Sequence, residues 1–127
     1  MNRKSIATDK APSAIGPYSQ AISTGNLVFI SGQLPIDPAT GKLIDATISE
    51  RTHQVLRNLQ AIAREAGGNL ADIVKTTIFL TDLADFKEVN TAYGEYFPTS
   101  PPARSTVQVA ALPLGSNIEI EAILLIP

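Results

Sequence analysis

Two stretches of this chain, 27-LVFI and 123-ILLI, are apolar at every position. In an extended strand, successive side chains leave from opposite faces, so Val28 and Ile30 point one way while Leu27 and Phe29 point the other. Leu124 and Ile126 likewise oppose Ile123 and Leu125. Strands that are apolar on both alternating sets are buried on both faces. A sheet built from them needs two layers of cover, and the sequence supplies helices enough for one. The second face is therefore expected to be covered by another copy of the chain in a closed oligomer.

The helices are legible from their spacing. The first begins near Thr47, where Thr47 and Glu50 have capping-box spacing. Ile48, Val55, Leu56, Leu59, Ile62, Ala63 and Ala66 form its apolar face, and Gly67-Gly68 ends it. The second is expected from about Asp82 to Phe97, with Leu83, Phe86, Val89, Tyr93 and Phe97 as a buried stripe and Pro98 as its stop. Strands are expected at 73-IVKTTIFL, 104-RSTVQVAAL and 118-IEIEAILLI. A hairpin is expected in 20-QAISTGNLVFISGQ, turning at Gly25-Asn26. The segment 11-APSAIGPY reads as a loop leading into that hairpin. In 35-PIDPATGKL, turn chemistry places Gly41 at a positive-φ position. Hairpin, helix, strand, helix and two strands make an α+β chain with a mixed sheet, and residues 1–127 form one domain.

Composition narrows the chemistry. The chain has no cysteine, so disulfides, thiolate metal sites and thiol nucleophiles are excluded, and His53 is its only histidine. His53 is expected on the solvated flank of the first helix. Ten basic and 12 acidic residues, scattered along the chain, give a net charge of −2 and no basic stripe for nucleic acid. The start, 1-MNRKSIATDKAPS, lacks the apolar run of a signal peptide. The apolar run 122-AILLIP is too short to span a bilayer. A soluble cytoplasmic protein with neither nucleic-acid nor membrane partners is expected.

Arg104 stands out in 101-PPARSTVQV as the only charged residue between Glu95 and Glu119. Alternation puts Arg104, Thr106 and Gln108 on one face of their strand, and Glu119 and Glu121 opposite Ile118 and Ile120 on theirs. The two strands could pair as a hairpin or join different edges. In either arrangement a polar face bearing Arg104, Thr106 and Glu119 is expected. Ser31-Gly32 is a small polar break in 27-LVFISG where a backbone can meet a ligand closely. Each residue also has an ordinary reading. Arg104 could be a surface ion pair, the glutamates the wet face of a strand, and Ser31 a partner for nearby backbone. Tyr18 could be a half-buried aromatic and Asn90 a cap for a loop.

The segment 102-PARSTVQVAALPLGSNIEIEAI closely resembles the C-terminal signature of the Rid (YjgF-like) family of enamine/imine deaminases. The stretches 11-APSAIGPYSQAI, 29-FISGQLPIDPATG and 72-DIVKTTIFLTDLADFKEVNTAYGEYF are similar to further parts of that family, in the same order. The resemblance implies a chorismate-mutase-like α+β fold, with two helices on one face of the sheet. It implies a homotrimer with a central barrel and a ligand cleft at each subunit interface. It also implies hydrolysis of 2-imino acids such as 2-iminobutanoate and 2-iminopropanoate, formed from enamines, to 2-keto acids and ammonia, with no cofactor and no metal. By the same resemblance, Arg104 is the substrate-carboxylate arginine and Glu119 the water-associated glutamate. Ser31 and Tyr18 complete the catalytic set; Gly32, through its backbone, Thr106 and Asn90 help bind substrate. Two departures stand out. Thr106 replaces a cysteine common in the family, so thiol chemistry does not apply there. The segment between Asn90 and Arg104 is also a few residues shorter, which bears on the cleft's rim and the substrate size it prefers. The alternatives are a non-catalytic protein that binds small carboxylates, or a nuclease or translation inhibitor, a label some family members carry.

Overall fold

The computed structural model describes residues 3–127. The strands are β1 (Arg3–Ile6), β2 (Ala21–Thr24), β3 (Leu27–Gln33), β4 (Ile36–Asp37), β5 (Lys42–Leu43), β6 (Ile73–Leu80), β7 (Ala103–Gln108) and β8 (Ile118–Leu125); the helices are α1 (Ile48–Glu65) and α2 (Phe86–Gly94). Six strands form one sheet in the order β1-β2-β3-β8-β6-β7, and β4 and β5 form a small ribbon of their own. All neighbours are antiparallel except β6 and β7, whose parallel pairing needs the crossover that α2 supplies. The expected α+β class with a mixed sheet is what the chain adopts.

Local sequence explains most of these elements. Thr24 and Leu27 close the β2–β3 hairpin, with Gly25 at φ +59° in the first central position. Gly41 takes φ +73° between β4 and β5, as its turn required. The Thr47 side chain accepts from the Glu50 N–H at 3.2 Å to cap α1. Gly67, at φ +96°, carries the chain out of that helix.

Both helices lie on one face of the sheet. Val55, Leu56, Leu59 and Ile62 of α1 and Val89 of α2 pack on Val28, Ile78, Ile118, Ile120 and Leu124, all essentially buried. Cutting Leu56 or Leu59 back to alanine would cost about 3 kcal/mol. Asn58 is a buried polar residue within this apolar face. Its amide donates to the carbonyls of Leu34 (3.1 Å) and Ile36 (2.9 Å), tying α1 to the segment that follows β3.

Two boundaries differ from expectation. A 3-10 turn over Leu83–Asp85 precedes α2, held by the Asp82 side chain, and Leu83 and Phe86 are exposed rather than part of the buried stripe. β7 ends at Gln108, whose side chain accepts from the Leu83 N–H at 2.9 Å. β1 was not legible at all. It is an edge strand whose 3-RKSI alternation carries little apolar signal.

The opposite face of the sheet carries Leu27, Phe29, Phe79, Val107, Ile123 and Leu125. Phe29, Val107 and Leu125 keep 43%, 41% and 43% of their surface exposed, so among the described residues no element covers that face.

Candidate functional site

The first group of expected site residues gathers at a kink in β3. Ile30 faces Ala122 and Gln33 faces Ile120, so Ser31 and Gly32 together oppose the single residue Glu121. Two residues against one is a β-bulge, and it bends the strand at the polar break seen in the sequence. The Glu119 carboxylate lies against Gly32, in the space a Cβ there would occupy. Tyr18, Ser31, Gly32 and Glu119 line one cavity of about 600 Å³, with Ile15 and Leu114 as apolar parts of its wall.

The loop bearing Tyr18 is fixed by a residue the sequence did not single out. Gln20 is buried; its amide donates to the carbonyls of Thr8 (3.0 Å) and Pro12 (2.7 Å), and its oxygen accepts from the Thr8 N–H at 2.7 Å. No periodicity marks a glutamine in an irregular loop, so its role emerges only from the fold. Ser31 adds a second tie, donating its hydroxyl to the Ser19 carbonyl at 2.6 Å. That commits its proton but leaves the oxygen able to accept from a ligand. The Tyr18 ring remains half exposed at the cavity.

Electrostatics distinguish Glu119 from an ordinary strand glutamate. Burial, and secondarily the like charge of Glu121, raise its carboxyl above the usual 4.5. A carboxylate made more basic in a cavity is suited to taking a proton from water.

The second group lies between β7 and α2. The Arg104 guanidinium carbon stands 5.1 Å from the Tyr93 ring centre and 5.5 Å from that of Phe86. Both distances are within cation–π range. Among the described residues no carboxylate lies within ion-pair distance of Arg104; the one such contact joins the His53 ring to Glu95 at 3.7 Å. Asn90 shares the helix face of Phe86 and Tyr93 by its i+4 and i−3 spacing. Thr106 follows Arg104 on the same strand face. Asn90 Oδ1 and Thr106 Oγ1 are buried without a hydrogen-bond partner among the described residues. His53 sits on the flank of α1, its Nδ1 2.8 Å from the Tyr96 hydroxyl and apart from both groups.

The two groups do not meet within one chain. Arg104 is in register with Thr76 of β6, which is in register with Ala122 of β8; all three belong to the helix-covered face. Glu119 is in register with Phe79 and so faces the other way, and β6 separates β7 from β8. The expected common polar face of Arg104, Thr106 and Glu119 is therefore corrected. Alternation gives the side-chain set within each strand, but not which set turns towards the helices.

The chain is similar to known proteins over nearly its whole length. The family model described as Endoribonuclease L-PSP matches residues 8–126. The chain is 53% identical over 123 residues to the chloroplastic Reactive Intermediate Deaminase A of Arabidopsis thaliana, covering 97% of this chain and 66% of the plant protein's length. It is 48% identical over 121 residues to the human 2-iminobutanoate/2-iminopropanoate deaminase, covering 95% of this chain and 88% of the human one. Among solved structures, Escherichia coli TdcF with bound serine superposes with a TM-score of 0.93 at 44% identity, covering 98% and 99% of the two chains. Among the described residues no helix is long and apolar enough to cross a membrane.

Proposed function

This chain belongs to the Endoribonuclease L-PSP (Rid) family, and on that premise we propose that it hydrolyses small 2-imino acids, such as 2-iminobutanoate and 2-iminopropanoate, to 2-keto acids and ammonia. The observation that carries the reading is Arg104, a guanidinium seated on aromatic rings with no carboxylate of its own. Two parallel N–H groups match a carboxylate, so such an arginine can fix a small organic acid in position and orientation.

The reaction asks little more of the protein. Water adds to the carbon of the protonated C=N bond as Glu119 takes one of its protons, giving a carbinolamine. Glu119 returns that proton to the nitrogen, and as the C–N bond breaks the carbinolamine hydroxyl yields its own proton to the freed carboxylate, so that the C=O bond forms and ammonia leaves the keto acid behind. Ser31, Gly32 and Tyr18 shape the pocket beside Glu119, while Asn90 and Thr106 supply polar atoms beside Arg104.

Because the two groups face opposite sides of the sheet, the complete cleft forms between protomers in this reading. The β7–α2 edge of one chain meets the β3–β8 pocket of the next. The uncovered face with Phe29, Val107 and Leu125 supports association, and a homotrimer is the assembly proposed. A cytoplasmic location belongs to the same reading, although the Arabidopsis relative is chloroplastic. So does the absence of a nucleic-acid partner, which the net charge of −2 supports.

The test is keto-acid release from freshly generated 2-iminobutanoate. Faster release than in buffer, abolished by Arg104→Ala, is the expected result. A second reading, a sensor that binds small carboxylates without turnover, takes support from serine bound to E. coli TdcF. Binding of 2-oxobutanoate without accelerated hydrolysis would favour the sensor.

A further inference from the structure

An arginine that grips a substrate must itself be held, and a carboxylate partner would occupy the donors it needs. Arg104 is held differently. Its guanidinium carbon lies 5.1 Å from the centre of the Tyr93 ring, and that ring is only 4% exposed. The Tyr93 hydroxyl is hydrogen-bonded to Thr76 Oγ1 at 2.7 Å, and Thr76 is the β6 residue in register with Arg104 itself. The Phe97 ring packs against Tyr93 with centres 4.7 Å apart, and Phe86 stands 5.5 Å from the guanidinium.

We infer that Tyr93, tethered by Thr76 and backed by Phe97, is a positioning residue for the carboxylate anchor. Its ring face seats the Arg104 guanidinium without accepting a hydrogen bond from it. A ring attracts the cation through the negative charge of its π face, whereas a glutamate would take the two parallel N–H groups that a substrate carboxylate needs. The Thr76 tether sets the depth of the ring, since its hydroxyl cannot slide outward without leaving two buried polar atoms unpaired. This inference rests on the reading of Arg104 as the carboxylate anchor, but not on turnover.

Titrating 2-oxobutanoate into the intact protein, followed by NMR, reads the anchor directly. Absent hydrolysis would count against the deaminase proposal and leave this titration intact. Tyr93→Phe keeps the ring but loses the Thr76 tether, so its Kd should rise by about threefold, and it serves as the reference for the ring series. Replacing residue 93 with phenylalanines of increasing fluorine content weakens the π face at nearly constant shape. The Kd should then rise stepwise, to about tenfold for the most fluorinated ring. The Arg104 side-chain signals should shift in the same order. A purely structural role would not respond to ring electrostatics, so a flat Kd series overturns the inference. Arg104 signals that stay fixed, or a parent protein that does not bind 2-oxobutanoate, overturn it as well.

Discussion

The carboxylate of Glu119 fills the place where any side chain at Gly32 would begin. Gly32 has no positive φ among its constraints, so alanine there is acceptable to the backbone and conflicts only with the far end of a flexible side chain. Gly32→Ala should therefore fold normally and push the Glu119 carboxylate aside. If Glu119 activates water, kcat should fall by about tenfold or more, with an unchanged far-UV spectrum. Wild-type turnover in a folded Gly32→Ala protein would show that the carboxylate's position is irrelevant.

Burial and the neighbouring Glu121 hold the Glu119 carboxyl above 4.5, and this has opposite consequences for stability and activity. In the range above 4.5 the folded chain keeps a proton that the unfolded chain has released. The stabilisation from this group is thus complete below the unfolded value and is lost as pH rises through the folded one. Glu119→Gln should gain stability relative to the parent as pH rises above 4.5, measured by urea unfolding. Turnover needs the carboxylate, so it should rise with pH over the same window. Glu121→Gln, by removing the like charge, should move the acid limb of the rate profile to lower pH. A limb unmoved by that substitution would assign it to another group.

Arg104→Lys tests geometry against charge. Lysine keeps the cation but offers a point charge in place of two parallel donors. Losing one charge-assisted hydrogen bond costs about 2 kcal/mol, so kcat/KM for 2-iminobutanoate should fall roughly thirtyfold. Arg104→Ala should fall further, beyond detection above the uncatalysed rate. Equal kinetics for the lysine variant and the parent would mean that orientation by a planar fork is not required.

The elements that were legible in the sequence are those whose signals are local. Thr47 with Glu50, Gly25 and Gly41 each set the backbone within a few residues, and the chain adopts what they dictate. The polar break at Ser31-Gly32 was visible too, and it is a bulge. What was not legible depends on partners distant in sequence. β6 inserts between β7 and β8, and only that pairing shows Arg104 and Glu119 turned to opposite faces. Leu83 and Phe86 fit a helical stripe, but a 3-10 turn at Leu83–Asp85 changes their phase and leaves them exposed. Gln20 and the Thr76–Tyr93 bond matter through contacts that no spacing rule reports.

The opposed faces of Arg104 and Glu119 make the shared-cleft proposal open to a direct test by mixing. If one protomer supplies Arg104 and its neighbour supplies Glu119, Arg104→Ala and Glu119→Gln should each inactivate every cleft in a homogeneous assembly. In a mixed assembly some clefts pair the intact arginine of a Glu119→Gln chain with the intact glutamate of an Arg104→Ala chain. Random mixing of equal amounts in a closed ring makes about a quarter of the clefts whole, whatever the number of subunits. Two inactive proteins, unfolded together and refolded, should thus recover about a quarter of parental activity. A cleft built within one chain predicts none, because each chain would carry one of the two defects. Recovery without subunit exchange, from simple mixing of folded proteins, should be slow or absent at concentrations where the assembly persists. Failure of the co-refolded mixture to regain activity, with assembly confirmed by light scattering, would return both residues to a single protomer or remove one of them from the reaction.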